Sequence, residues 1–246
     1  MNMYIITPCG GSSAELKLTC ESVVLAADQN RDCNFIHIII FNNGVSYDIN
    51  KYESSNYRVV KFDINPIASR SAARNQGLDY VSDRDDGLVN FLDSGDILLP
   101  EPFDVISYND NFDLYSFSTL IKSDKAEVVR RPVNSKWIYY INPFYLGSVF
   151  VCSKLATQFR FYNGRKEDWK YWVEITKSKP KCFYSDSFAY KYVIKSKVNH
   201  FFRKIKLVSH QYDFYKEFLG FGVCKSMFYC LSHYSIQMCR WVFVHK

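Results

Sequence analysis

The sequence predicts a mixed α/β fold, in which a mostly parallel central sheet is flanked by helices and followed by a C-terminal helical extension. In the first half of the 246-residue chain, short runs of β-branched and aromatic residues alternate with segments of helical periodicity. This alternation is typical of a parallel sheet covered on both faces. Beyond residue 195 apolar residues recur at spacings of three and four, which indicates amphipathic helices. We therefore expect one domain at residues 1–195 and a helical extension at residues 196–246.

The first half of the chain contains the predicted parallel strands. Met3–Thr7 is an apolar run that ends at a Pro-Cys-Gly-Gly loop, and the helix that follows begins with the capping-box spacing of Ser12 and Glu15. Three more strands are predicted, at Phe35–Phe41, Arg58–Phe62 and Leu88–Leu92. A helix is predicted at Ser69–Val81, before the last of them. The carboxyl ends of parallel strands lie at one edge of a sheet, where ligands bind. The loops after the first, second and fourth strands should therefore converge.

The second half has a different pattern. Strands are predicted at Phe112–Ser118, Ser148–Cys152, Lys181–Tyr184 and Phe188–Val193, and one helix should begin near Lys166. After Lys195 the periodicity predicts two amphipathic helices that are broken at Gly220 and Gly222.

Composition narrows the classes of protein. An apolar content of 48% excludes a chain that is mainly disordered, and the net charge of +6 favours anionic partners. The eight cysteines form no CxxC pair, so a disulfide framework is not indicated. The N-terminus does not have the pattern of a signal peptide, and no apolar run reaches the roughly 18 residues of a membrane span. We expect a cytoplasmic protein, or one that lies at the inner face of the plasma membrane.

Two carboxylates follow the predicted strand Leu88–Leu92 directly, in the sequence Asp93-Ser94-Gly95-Asp96. Acids placed together at a sheet edge repel each other unless a cation lies between them, and carboxylate oxygens are ligands for hard divalent ions. Such an ion could bridge the phosphates of a nucleotide. The same pattern is also typical of an acidic turn that caps the next element.

The order SAARNQGL, VNFLDSGDILLP and, about seventy residues later, GRKEDWKYW resembles the signature of family 2 glycosyltransferases, which have the nucleotide-diphospho-sugar (GT-A) fold. The resemblance extends from Met3 to about Ser178. It implies an inverting transfer of one sugar from a nucleotide-diphosphate donor, such as a UDP-sugar, to a hydroxyl group. For bacterial surface-polysaccharide members, the acceptor would be a polyprenyl-diphosphate-linked saccharide of O-antigen or capsule biosynthesis.

The resemblance implies a first group of donor-binding residues. Thr7, Pro8 and Cys9 match the loop that holds the base and ribose of the nucleotide. Asn42 and Asn43 stand where the family usually has paired aspartates, one of which reads uracil. An amide both donates and accepts hydrogen bonds, so it could still pair with a base edge.

The resemblance implies further residues for phosphate and metal binding. Arg70 and Arg74 lie in the segment that approaches the donor, where a guanidinium suits phosphate, although Arg74 could instead tie a helix to a loop. Asp93 and Ser94 are expected to contact the donor. The usual Asp-x-Asp-Asp pattern is replaced by Asp-Ser-Gly-Asp, so Asp96, assisted by Asp93, is expected to hold Mn²⁺ or Mg²⁺.

The GRKEDWKYW motif implies the catalytic base. Asp168, assisted or replaced by Glu167, would take the proton from the acceptor hydroxyl. Two acids in the first turn of a helix are also typical of simple dipole compensation. Trp169 and Trp172 are expected on the acceptor side, with burial beneath the sheet as the alternative.

The segment between Ser187 and Tyr212 contains six lysines and arginines, interleaved with aromatic residues, and no acid. This pattern suits an anionic membrane surface, and the alternatives are a helical pair packed on the domain or a dimer interface. No RNA-binding motif is present, so a nucleic acid partner is not expected. Two functional rivals stay open: an inactive relative that acts as a scaffold, and a sugar nucleotidyltransferase.

Overall fold

The computed structural model describes residues 1–42, 52–65, 68–109, 111–122, 127–193 and 208–244. The chain divides into two compact units, of which the first comprises Met1–Val133 with Phe144–Ile194, and the second comprises Asn134–Pro143 with Lys195–Lys246. The ten residues from Asn134 to Pro143 thus group with the second unit, although the predicted first domain, residues 1–195, includes them. No helix within the described ranges is long and apolar enough to cross a membrane.

The first unit is built on one sheet. Its strands, in chain order, are β1 (Asn2–Cys9), β2 (Asn34–Phe41), β3 (Tyr57–Asp63), β4 (Gly87–Phe91), β5 (Ile97–Leu98), β6 (Leu114–Lys122), β7 (Glu127–Arg130), β8 (Val149–Cys152) and β9 (Cys182–Val193). Within the described chain they lie in the order β3-β2-β1-β4-β8-β6-β9-β5, and β7 pairs with β6.

The strands of the first half are parallel, and their order reverses beside β1. The chain moves from β1 outward to β2 and β3, and then returns to place β4 on the other side of β1. A crevice opens at the carboxyl edge of a sheet where the strand order reverses. The pairings of β8 with β4 and β6, of β5 with β9 and of β7 with β6 are antiparallel. The mixed, mostly parallel sheet predicted from the sequence is confirmed.

Helices flank this sheet. The first unit contains α1 (Ser13–Gln29), α2 (Arg70–Ser82), α3 (Pro102–Tyr108), α4 (Ser153–Ala156) and α5 (Glu167–Lys177). The predicted capping box of α1 is confirmed: the Glu15 amide donates to the Ser12 hydroxyl at 3.3 Å, and the Ser12 amide donates to the Glu15 carboxylate at 3.1 Å. Both otherwise unpaired amides of the first turn are thereby satisfied.

Helix α2 lies unusually close to β1. A Cβ atom at Gly77 would stand 2.6 Å from Cγ2 of Ile6, inside the contact distance of real side chains. Any larger residue would therefore push α2 away from the sheet. This glycine fixes the depth at which α2, with its two arginines, sits above the crevice.

Two predictions about strands are wrong in detail. The predicted strands Lys181–Tyr184 and Phe188–Val193 are one strand, β9, whose register against β6 shifts around Phe117 and Ser118. A bulge absorbs the polar Ser-Asp-Ser sequence that had indicated a break, and the Ser185 hydroxyl donates to that of Ser187 at 3.0 Å. The short strands β5 and β7 were not predicted.

In the second unit, residues 208–213 are helical and continue into a π-helical turn at Phe214–Phe218. Helix α6 (Val223–Val244) follows. Gly220 has a φ of +66°, a conformation that favours glycine, so the predicted break between two helices is confirmed at this position. The first part of the upstream predicted helix, residues 201–207, lies outside the described residues.

The short segment 134–143 packs against α6 within the second unit. The Tyr140 and Tyr229 rings lie 4.8 Å apart, and the Nδ1 atom of His233 donates to the Tyr140 carbonyl at 2.8 Å. This aromatic contact with a hydrogen bond accounts for the grouping of the segment with α6.

Candidate active site

The carboxyl ends of β1, β2 and β4 lie side by side at one edge of the sheet, and the loop after β2 is described only as far as Asn42. Cys9 at the end of β1 is paired with Phe41 at the end of β2, and the Asn42 amide donates to the Cys9 carbonyl at 3.3 Å. On the other side of β1, the Leu92 amide donates to the Ile6 carbonyl at 3.0 Å. Asn43, a predicted donor-binding residue, lies outside the described residues.

Thr7 is a core residue. Its hydroxyl lies 2.8 Å from Nε2 of His37, and Nδ1 of the same ring lies 2.9 Å from the Tyr57 hydroxyl. Burial lowers the pKa of His37 to about 3, so the imidazole is neutral and exchanges hydrogen bonds with both hydroxyls. The side chain predicted to touch the donor is therefore engaged inside the sheet.

Pro8 and Cys9 are also buried, and the exposed residue of this loop is Gly10. Burial raises the pKa of the Cys9 thiol, and the nearby Ser94 hydroxyl and Gly11 backbone partly offset the shift. Ser94 therefore lies against the end of β1. Any contact of this loop with a ligand falls to the backbone at Gly10.

Asn42 presents an open acceptor. Its Nδ2 atom donates to the Ala68 carbonyl at 3.2 Å, whereas its Oδ1 atom is buried with no hydrogen-bond partner among the described residues. A Cβ atom at Gly10 would lie 3.0 Å from that oxygen, so the absence of a side chain at Gly10 keeps the space beside it clear. An N–H group of a bound ligand could donate a hydrogen bond to this oxygen.

Arg74 connects the two acidic motifs. Its side chain is 1% exposed, with Nη2 at 2.7 Å from Oδ1 of Asp93 and Nη1 at 3.4 Å from Oε1 of Glu167. Although burial alone lowers the pKa of the guanidinium, the neighbouring Asp93 carboxylate more than offsets this, and the net shift is upward. The guanidinium also lies over the Phe161 ring, 5.2 Å from its centroid. Of the two roles left open for Arg74, the contacts favour the tie between elements.

Arg70 occupies the opposite kind of environment. Its side chain is 69% exposed, and Nη1 lies 3.7 Å from Oδ2 of Asp93. It is the first residue of α2, whose N-cap is Ser69. The crevice therefore has one buried arginine, whose two Nη atoms are paired with carboxylates, and one exposed arginine that is loosely paired.

Two residues of the SAARNQGL motif were not predicted as site residues. Asn75 forms paired hydrogen bonds with the Phe161 backbone, donating to the carbonyl at 3.0 Å and accepting from the amide at 2.8 Å. The Ser71 hydroxyl donates to the Tyr162 carbonyl at 2.8 Å. Both residues hold the loop that leads into α5. Their i, i+4 spacing on one face of the predicted helix was the available signal.

Asp168 lies in the first turn of α5, after a tight approach in which Gly164 and Lys166 both have positive φ. Its pKa is raised, first by burial and then by the neighbouring Glu167 carboxylate, while the Trp169 amide and Arg74 act in the opposite direction. A carboxylate with a raised pKa accepts a proton more readily near neutral pH. The arrangement thus suits a general base.

The two tryptophans of α5 are buried, so the alternative of burial beneath the sheet holds for both. Trp172 is fully buried and lies 5.5 Å from the Phe144 ring and 6.4 Å from the Phe91 ring. Trp169 is 3% exposed, and the Lys166 ammonium group lies 4.9 Å from its ring. Buried rings offer no surface to an acceptor. Because Phe91 ends β4, this packing instead sets α5 against the strand that precedes Asp93.

The predicted metal ligands, Asp93 and Asp96, are engaged by other protein groups. Asp96 is 6% exposed and accepts a hydrogen bond from the Tyr190 hydroxyl at 2.6 Å, while both Asp93 oxygens face arginines. Gly95 has a φ of +99°, and its amide donates to the Thr19 hydroxyl at 2.8 Å. Within the described ranges no group of three His, Cys, Asp or Glu side chains could hold a metal ion. With Asp93 between two arginines and Asp96 bound to Tyr190, these carboxylates as they stand do not fit Mn²⁺ or Mg²⁺.

Comparison with known proteins gives structural matches only. No family model matches the sequence, and no curated protein matches it. Residues 1–349 of S. aureus TarS share 16% identity at a TM-score of 0.62, over 78% of this chain and 60% of that one. TarS in complex with UDP-GlcNAc gives 16% identity and a TM-score of 0.59, over 80% and 60% of the two chains.

A third match is a mannosyltransferase from Pyrobaculum calidifontis, PcManGT, in complex with GDP-Man and Mn²⁺. It shares 10% identity at a TM-score of 0.60, over 89% of this chain and 64% of that one. The chain spans about 60% of the length of the TarS structure and 64% of that of PcManGT. Likeness at this level of identity concerns the fold. The GT-A-like α/β fold predicted from the sequence is confirmed, and it is the fold of these glycosyltransferases.

Proposed function

We propose that this protein is an inverting glycosyltransferase that moves a sugar from a nucleotide-diphosphate donor, such as a UDP-sugar, to a hydroxyl of a saccharide. The observation that carries the proposal is the Arg74 bridge, which holds Asp93 and Glu167 around the crevice between β1 and β4. Asp168, whose pKa is raised, follows Glu167 directly in the first turn of α5. Support also comes from the structural neighbours, which bind UDP-GlcNAc and GDP-Man.

The chemistry is a single displacement. The acceptor oxygen forms a bond to the anomeric carbon while the bond from that carbon to the donor diphosphate breaks. Asp168 takes the hydroxyl proton, and the nucleoside diphosphate leaves with the electron pair. Attack from the face opposite the leaving group inverts the anomeric configuration. Glu167 is held by Arg74 and acts by position, because its carboxylate adds to the upward shift that burial causes in the pKa of Asp168.

The donor would be held by groups at the carboxyl edge of the sheet. The open Oδ1 atom of Asn42 accepts from the base, and the Gly10 backbone lies against the ribose. Asp93 orients the sugar, and Arg70 meets the phosphates. Of the predicted donor residues in β1, Thr7, Pro8 and Cys9 shape the floor of this site from within the sheet.

The identity of the phosphate product tests this function. The protein is incubated with UDP- and GDP-sugars and a panel of saccharide acceptors, and the released phosphate species is identified by chromatography. Release of UDP or GDP together with a glycosylated acceptor supports the proposal. Release of inorganic diphosphate would instead identify a nucleotidyltransferase. Donor binding without any turnover across the panel would indicate the inactive scaffold.

The acceptor side of the proposal rests on the second unit. We propose that α6 lies on an anionic membrane, next to a polyprenyl-diphosphate-linked saccharide of O-antigen or capsule type. Four apolar residues of α6, each between 54% and 71% exposed, follow one another at spacings of four, four and seven: Val223, Met227, Leu231 and Met238. This spacing places them on one face of the helix. The basic segment between Ser187 and Tyr212 supplies charge complementary to acidic lipid.

Sedimentation with liposomes tests the membrane contact. We expect the protein to sediment with vesicles that contain phosphatidylglycerol, less so with purely zwitterionic vesicles, and least at high salt. The double variant Met227→Ser/Leu231→Ser should lose most of this binding. Unchanged sedimentation of the variant would contradict the role of this face in membrane binding. A concentration-dependent dimer that dissociates when these residues change would assign the face to a second copy of the chain instead.

A further inference from the structure

We propose that Arg70 supplies the positive charge that meets the donor diphosphate, so that nucleotide binding does not require a divalent cation. This inference rests on the proposed function, and it names the residue that recognises the phosphates. The Asp93–Asp96 motif resembles a metal site, but its carboxylates are paired with other protein groups.

Each carboxylate of the motif is engaged by protein groups. Asp93 has Arg74 at 2.7 Å on one oxygen and Arg70 at 3.7 Å on the other. Asp96 is buried and accepts a hydrogen bond from Tyr190. A divalent ion at Asp93 would lie beside two guanidinium groups, and like charges at such distances repel strongly in a partly buried site. The motif therefore attracts anions near Arg70 more readily than cations near Asp93.

The third position of the motif cannot easily regain a carboxylate. Gly95 has a φ of +99°, a region in which residues with a side chain are strained. Its amide donates to the Thr19 hydroxyl, which in turn donates to the Asp96 carbonyl at 2.9 Å. These hydrogen bonds tie the turn to α1. The backbone conformation at Gly95 therefore disfavours an aspartate at this position, in addition to the fact that the sequence has a glycine there.

Arg70 is well placed to take over the charge. Its guanidinium is exposed, whereas that of Arg74 is buried between Asp93 and Glu167 and has no surface for a ligand. It begins α2, so the free amides at the start of that 13-residue helix lie beside it. A guanidinium presents paired donors that match phosphate oxygens. Loss of its contact with Asp93 on ligand binding costs little, because the two groups are 3.7 Å apart and the arginine is exposed.

Calorimetric titration with UDP and with GDP tests the inference, in EDTA and in excess Mn²⁺. We expect the tighter of the two nucleotides to bind with the same affinity in both buffers, within about twofold. Arg70→Gln should weaken binding roughly 10- to 100-fold, as expected for the loss of charge-assisted hydrogen bonds. The same change should leave the affinity for the nucleoside, uridine or guanosine, unaltered.

Arg58→Gln is the matched control. Arg58 is an exposed arginine in β3, at the amino end of the sheet, and its replacement should leave nucleotide binding unchanged. Binding that appears only with Mn²⁺, or equal affinity of Arg70→Gln and wild type, would overturn the inference and leave the proposed function standing. Failure of both nucleotides to bind in either buffer would reject the proposed function itself. Since Arg70 is exposed, its variant should have the melting temperature of wild type.

Discussion

The two edges of the central sheet differ in how their polar groups are satisfied. At the amino edge, a cleft of about 290 Å³ is lined by residues that include Asn2, Asn34, Asn56 and Arg58. The Asn56 amide donates to two backbone carbonyls, at 2.8 and 3.3 Å, and the Asn34 amide donates to the Asn2 side chain at 3.4 Å. These amides are used by the fold.

At the carboxyl edge the polar groups are charged and incompletely satisfied. Asp93, Glu167 and Asp168 surround Arg74, and the Oδ1 atom of Asn42 has no partner among the described residues. A buried charge is stable only when it is paired, and a buried acceptor without a partner indicates a place for a ligand. The difference shows that unsatisfied and charged polar groups, more than the size of a cleft, distinguish the edge that carries the candidate site.

Removal of Arg74 should have the largest effect on stability. Arg74→Leu leaves two carboxylates facing each other, and loss of one partner of a buried pair costs about 3 kcal/mol or more. Asp93 and Glu167 are partly exposed, so we expect the lower end of that range. Urea unfolding measures the loss. Arg58→Gln, the matched change at the amino edge, should alter the free energy of unfolding by less than about 0.5 kcal/mol. Equal costs for the two variants would remove the contrast between the edges.

Gly95→Ala should have an intermediate effect. The residue has a φ of +99°, and a side chain in that region costs about 1–3 kcal/mol. Gly164→Ala is a useful comparison, because its φ is +105° but nothing lies within 4 Å of the added carbon. We expect thermal unfolding to show a decrease for both variants. A Gly95→Ala variant as stable as wild type would contradict the turn geometry described here.

Replacement of Asp168 by Asn should have the smallest effect on stability, and the size of this effect should depend on pH. Because the pKa of this carboxyl is raised in the fold, the protonated form is favoured there, and its contribution to stability is present at low pH and lost as pH rises through the raised pKa. Asp168→Asn should therefore raise the melting temperature at pH 7. The gain should disappear below about pH 4, where the carboxyl is protonated in the unfolded chain as well. A variant that is less stable than wild type at pH 7 would contradict the raised pKa.

Local patterns predicted much of the fold. The runs of β1, β2, β3 and β4, the capping box of α1 and the helices α2 and α5 were all visible in short windows of sequence. The strands β5 and β7 were not, since they have two and four residues and form through pairing with distant partners. The division of β9 was predicted because a bulge and a chain break have the same polar composition.

The candidate site was predicted less completely, because its contacts join residues far apart in the chain. Arg74 and Glu167 are 93 residues apart. Motif spacing alone therefore does not reveal that one guanidinium engages both acidic motifs. Asp96 and Tyr190 are 94 residues apart, and their hydrogen bond gives Asp96 a partner that the motif does not reveal. Thr7 is buried because its partner His37 lies on the adjacent strand. Motifs locate such residues, whereas tertiary packing decides their roles.

The most direct measurement of the central claim compares nucleotide binding and sugar transfer in wild type and Asp168→Asn. If Asp168 is the proton acceptor in the crevice held by Arg74, the variant binds the donor nucleotide as tightly as wild type and transfers sugar about 10²- to 10⁴-fold more slowly. A variant that transfers sugar at the wild-type rate would contradict the account.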